Sequence, residues 1–117
     1  MSDETTTLGS IHVSPNAVAT IAYHATLRSY GVVGLAPKNL AAGLAQTITR
    51  EPSRGVSVHY DGDKIDIDIF IVVQYGTRIA SVATSVANTV RFNVEKALGV
   101  RVNSIDVHVA GLRTSDE

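Results

Sequence analysis

The chain has 117 residues, 44% hydrophobic and 18% charged, which suits one compact domain and is too short for two ordinary ones. Its formal charge of −1 argues against the basic footprint of a nucleic-acid binder, and the absence of cysteine excludes disulfides, thiol nucleophiles and cysteine zinc sites. No apolar run approaches the roughly 18 residues that span a bilayer, and the polar start "MSDETTTL" is not a signal peptide, so a cytoplasmic protein with no direct membrane insertion is expected.

Residues 1–8 and 113–117 are polar and aperiodic and are expected to be disordered tails around a single domain at 9–112. "GSIHVS" predicts a short strand with Ile11 and Val13 on one face. A helix follows, with Ser14 as cap, Pro15 in its first turn and Val18, Ile21, Ala22 and Ala25 on its apolar stripe. Gly31 is the expected helix stop, and "VVGLAP" reads as extended chain or a turn. Asn39 then caps a second helix carrying Leu40, Leu44 and Ile48, with Gly43 admitted for close packing. Pro52 in "EPSRGV" stiffens the approach to the next strand.

"GVSVHY" and "KIDIDIFIVV" form a hairpin through "DGD", since Asp-Gly favours a two-residue turn. The expected pairs are Tyr60 with Asp63, Val58 with Ile65 and Val56 with Ile67, all four aliphatic residues sharing the core face. Thr77 caps the longest helix, about 78–98, whose sector of Ile79, Val82, Ala83, Val86, Val90, Val94 and Ala97 faces the sheet. Arg91 and Glu95 make an outer i,i+4 pair, and Gly99 ends the helix. The last strand turns Ile105, Val107 and Val109 inward, with a bulge at Asn103–Ser104 because Val102 has the opposite parity. The order is β-α-α-β-β-α-β. It specifies an α+β fold, a small two-layer sandwich of hairpin, crossover helix and returning strand, with helices on one face of the sheet.

Chemistry is harder to find. Asp66 and Asp68 share a strand face, as a solvated sheet requires, without the convergent oxygens of a metal site or the cleft of a glycosidase pair. His12, His24, His59 and His108 have no metal-ligand spacing. No serine sits in a nucleophile elbow. "GVVG" at Gly31–Gly34 matches the RNA-clamping GXXG loop in letters, but its central valines and missing basic neighbours favour a helix stop and turn. No catalytic residue, metal or cofactor is expected.

Beyond Asp68 the strand's polar face becomes Phe70 and Val72, which contact with another molecule would cover. Tyr23, Leu27 and Tyr30 lie opposite the first helix's core stripe and pose the same question. These five are the candidate protein–protein interface, with the N-terminal strand, the second helix or "VVGLAP" as covers from within the chain.

Several stretches, taken in order, resemble the alkaline shock protein family, the envelope stress response proteins of Gram-positive bacteria. They are "GSIHVSPNAVATIA", "YGVVGLAPKNLAAGLAQTITREPSRGVSV", "DIFIVVQYGTRIASVATSVANTVRFNVEKALGV" and "VNSIDVHVAGL". The strand entering Tyr75-Gly76, then Ile79, Val82-Ala83 and Val86, and later Glu95 before Gly99, is the most specific part. The resemblance implies a non-enzymatic cytoplasmic assembly or scaffold protein of envelope homeostasis. Self-association is expected, with a membrane-embedded anchoring partner holding the protein at the inner membrane face. It also leaves open a regulatory link to fatty-acid or acyl metabolism, and a KH-like RNA-binding module is the remaining alternative.

Overall fold

A computed structural model of the protein describes residues 13–38, 48–61 and 63–114. The expected strand through Ile11, the second helix from Asn39 through Leu44, His12 and most of both tails lie outside the described residues. Val13, at the end of that expected strand, is not itself in a strand, and Ile48 is not helical.

Helix α1 (Pro15–Leu27) begins where Ser14 Oγ accepts the Asn16 amide at 3.1 Å and Pro15 occupies the first turn. Val18, Ala22 and Ala25 are buried as their spacing predicts, and Ile21 packs at the margin of the core. The chain leaves the helix through Ser29 and turns at Gly31, where φ is +85°. "VVGL" then forms strand β1 (Val32–Leu35), the extended one of its two expected conformations, so after the turn at Gly31 this segment is paired strand rather than an open clamping loop.

Pro52 opens a single turn of helix, α2 (Pro52–Gly55), in which Arg54 Nε reaches Glu51 Oε1 at 2.8 Å. Strands β2 (Val56–Asp61) and β3 (Lys64–Gln74) form the hairpin. Its register differs from the expected one. Asp61 pairs with Lys64, Tyr60 with Ile65, Val58 with Ile67 and Val56 with Ile69. β2 therefore gains Asp61 at the turn, and β3 gives up Asp63. The slip is two residues in the pairing sum, so every side chain keeps its face, and hydrophobic alternation cannot detect such a change.

Helix α3 (Ile79–Leu98) starts one turn after β3. Arg78 stands at its N-terminal boundary without a side-chain cap, because Thr77, the expected cap, donates its hydroxyl back to the Gln74 carbonyl at 2.7 Å. Val82, Val86, Val90 and Val94 are buried, whereas Ile79 and Ala97 at the two ends are exposed. Gly99 stops the helix at φ +67°, a left-handed position that costs glycine little. Strand β4 (Val102–Arg113) returns parallel to β3 along nearly its whole length. Extra residues at Asn103 and Ala110 interrupt the register. The first is the bulge that the parity of Val102 requires.

The result is an α+β fold of two layers. β3 is the central strand. β4 takes one edge, while β2 and then β1 share the other, pairing with its first and last parts. Helices α1 and α3 pack on the face presenting Ile65, Ile67, Ile69, Ile71 and Val73.

Candidate functional site

The opposite face is where the sequence left its questions. Its first half is polar and tied across strands. Asp66 Oδ1 accepts Asn103 Nδ2 at 2.9 Å and Ser104 Oγ at 2.7 Å, so it fastens the β4 bulge to the central strand. Those two hydrogen bonds, with smaller help from the charges of His59 and Lys64, hold its carboxyl below the usual aspartate range against the opposing effect of burial. Asp68 lies between two histidines, with His108 Nε2 at 3.0 Å and His59 Nε2 at 3.8 Å. The corrected register produces this arrangement: His59 is opposite Asp66 and Ser57 opposite Asp68, not Lys64 and Asp66 as the expected turn implies. The acids are therefore cross-strand ties as well as a wet face.

Ser57, His59 and Asp68 have the composition of a hydrolytic triad but not its wiring. Ser57 Oγ lies 2.9 Å from His59 Nε2, and Asp68 approaches that same nitrogen. A relay needs the carboxylate on the other ring nitrogen, where it orients the imidazole and stabilises its charged form. Among the described residues, no cluster of three histidines or carboxylates is placed to hold a metal ion.

The second half of this face turns apolar at Phe70, which is partly exposed and stacked on His108, with ring centroids 4.6 Å apart and planes at 14°. Val72 is different: it is fully buried inside a single chain. Its neighbour across the strands is Gly34, and a Cβ on Gly34 would meet Ile48 Cγ2 at 2.7 Å. The missing side chain thus makes room for Ile48 on the face that Val72 shares. Val72 cannot be part of a surface for a second molecule. Tyr23 is likewise withdrawn, since it is buried in the core and donates its hydroxyl to the Thr49 carbonyl at 3.2 Å.

Of the five expected interface residues, Phe70, Leu27 and Tyr30 remain accessible, and the structure does not gather them on one patch. Leu27 is exposed at the end of α1, and Tyr30 lies at the end of the sheet where β3 finishes. Gln74 donates its amide to the Gly31 carbonyl at 2.8 Å, and Tyr75 donates to the Arg113 carbonyl at 2.8 Å. These bonds bring Tyr30, Tyr75 and Leu112 to the same end, exposed by 80%, 65% and 40%, and Ile79 follows within one turn. A groove of about 440 Å³ runs beside them, lined by Tyr30, Thr77, Arg78, Ser81 and Ser85. Sequence reasoning missed Tyr75 and Ile79 because it counted Ile79 as core and Tyr75 only as a motif letter. The available signal was their position at an element boundary, where no partner strand or helix continues to cover them.

Arg91 and Glu95 were also undervalued. Beyond their mutual contact at 3.8 Å, Arg91 donates to the Val102 carbonyl and Glu95 accepts the Val102 amide at 2.9 Å. The helical pair thus closes off the backbone of β4 where it enters the sheet. Phe92 is exposed on the outer side of α3, with Lys96 Nζ 5.3 Å from its ring centroid.

Known proteins agree with this architecture. Residues 3–114 match the profile of the alkaline shock protein 23 family, described by its cell envelope-related function. Protein YloU of Bacillus subtilis (strain 168) is 38% identical over 113 residues, covering 95% of this chain and 94% of its own. Protein YqhY of the same organism is 30% identical over 114 residues, with 97% and 84% covered. Among solved structures, a variant of the MamM CTD superposes with a TM-score of 0.50 at 21% identity, over 81% of this chain and 92% of that one, a likeness of fold alone.

Proposed function

The chain belongs to the alkaline shock protein 23 family, whose function is cell envelope-related, and from that premise we propose that it is a non-enzymatic scaffold of the envelope stress response. It works in the cytoplasm at the inner membrane face, associates with itself, and is recruited there by a membrane-embedded partner. The observation that carries this reading is the exposed Tyr30, Tyr75 and Ile79 at the end of the sheet where β3 finishes, beside an open groove that Tyr30 lines. Exposed large apolar side chains rich in tyrosine are what protein contacts use. No helix among the described residues is long and apolar enough to cross a membrane, so attachment through such a surface supplies what those helices do not. Arg78 at the groove's rim gives the partner a charge to match.

Cell fractionation tests this. Wild type should sediment with membranes, and the purified protein alone should not bind lipid vesicles. Tyr30→Ser with Tyr75→Ser should remain folded, because both side chains are largely solvated, and should move to the soluble fraction. Retention of the double variant on membranes, or vesicle binding by the isolated protein, refutes recruitment through this end.

A further inference from the structure

The outer edge of β4 has a built-in pattern for pairing with a second copy of itself. Among the described residues, β4 pairs with β3 alone. The direction of its backbone groups follows from bonds at the far end of the sheet. Gln74 N and Phe70 O point to the β1 side, whereas Tyr75 N bonds to Arg113 O on the β4 side. Odd-numbered β3 residues therefore face β4. In a parallel ladder each of them bonds to the residues flanking its Cα partner. Ile69 is level with Val107 and Ile67 with Ile105, so Asp106 and His108 bond inward. The amides and carbonyls of Ile105, Val107 and Val109 point outward. Val102 also points outward, and there Arg91 and Glu95 occupy both of its groups. The helix thus closes the start of the edge, and among the described residues no strand pairs with the stretch from Ile105 to Val109 on its outer side.

We propose that this stretch pairs antiparallel with the same stretch of a second copy, centred on Val107, so that two sheets become one. The inference rests on the self-association proposed above and assigns it a surface. In this register Val107 meets its counterpart and Ile105 meets Val109, which gives about six main-chain hydrogen bonds from the outward groups alone. Asp106 comes opposite His108, twice by symmetry, in the close non-hydrogen-bonded positions where an imidazole can donate to a carboxylate. Centring one residue earlier sets Asp106 against Asp106; one residue later sets His108 against His108. Repulsion between like carboxylates disfavours the first, and the acceptor–donor match of Asp106 with His108 selects Val107.

The helical layer accommodates the pairing. α3 crosses the sheet obliquely, since Val82 abuts Gly31 on the β1 side while Arg91 and Glu95 reach Val102 at the β4 edge. It leaves Val109 and Leu112 about two-fifths exposed on the helix face, at 38% and 40%. The two-fold brings the Val102 end of the second copy, with its helix, over these two residues.

Complementary charge variants of the full chain decide the matter. Asp106→Lys alone should weaken the dimer roughly tenfold or more by removing the acceptor opposite His108, and His108→Glu alone should do the same by setting two carboxylates opposite one another. An equimolar mixture should recover the dimer as a heterodimer, read by native mass spectrometry and light scattering across concentration. Recovery on mixing cannot come from a variant that merely misfolds. If wild type is dimeric and neither variant alters it, or if mixing restores nothing, the β4 register is wrong while self-association stands. A wild type that stays monomeric at every concentration removes both.

Discussion

The two faces of the sheet were specified by different kinds of information. The helix-covered face is written locally: alternate aliphatic residues of β3 meet valines spaced along α3, and each set announces its own direction. The opposite face is composed by residues far apart in the chain. Asp66 is tied by Asn103 and Ser104, Asp68 by His108, and Val72 is level with a glycine that admits Ile48. Changes on the first face should therefore act through burial and be large. Those on the second should act through particular partners and be graded.

The largest effect is expected at the centre of the covered face. Val86 is fully buried in α3, and Val86→Asp would place an unpaired charge among aliphatic side chains. That costs several kcal/mol, comparable with the whole stability of a small domain. The protein should unfold or become insoluble, as circular dichroism and solubility would report. A cooperative melt near that of wild type would refute the dry-face account.

A middle-sized effect is expected where the second face is closed from within. Gly34→Ala drives a Cβ into Ile48 Cγ2, a methyl on a stiff β-branched side chain. Overpacking of this sort costs about 1–3 kcal/mol. Ile48→Ala in the same chain should recover part of the loss, a coupling that a double-mutant cycle in denaturant reads directly. Simple additivity would show that Ile48 does not cover this face.

That contrast also explains what the sequence could disclose. Ser14-Pro15, the valine sector of α3, Gly99 and the Asn103 bulge were legible because each is a local rule: a cap, a period, a left-handed stop, a parity break. The hairpin register was not, because a shift by two leaves every face unchanged. The cover on Val72 was not, because Gly34 reads as a weak strand residue until its neighbour across the sheet is known. At the candidate site, Leu27 and Tyr30 were singled out from helix phase, although α1 ends at Leu27 and Tyr30 stands in the turn after it. Tyr75 joined them only through the bonds of Gln74 and Tyr75 to strands on either side. The outward groups of β4 follow from strand pairing, and pairing is what a single sequence leaves unstated.

The smallest effect is expected at Asp66, and it separates charge from shape. Asp66→Asn keeps an oxygen to accept Asn103 and Ser104 but removes the negative charge, whereas Asp66→Ala removes the acceptor and leaves the bulge untied. The alanine variant should therefore melt earlier than the asparagine variant, and both should remain folded. Because the folded carboxyl titrates below the ordinary aspartate value, the unfolded chain takes up its proton first as the pH falls. The charged carboxylate's stabilisation is thus complete above about pH 4 and declines through the lowered folded value. The gap in melting temperature between wild type and Asp66→Asn should be constant near neutrality and shrink only in that acidic window. A gap that instead changes near neutrality would refute the account in which the proton on Asp66 sets the pH dependence of this variant pair.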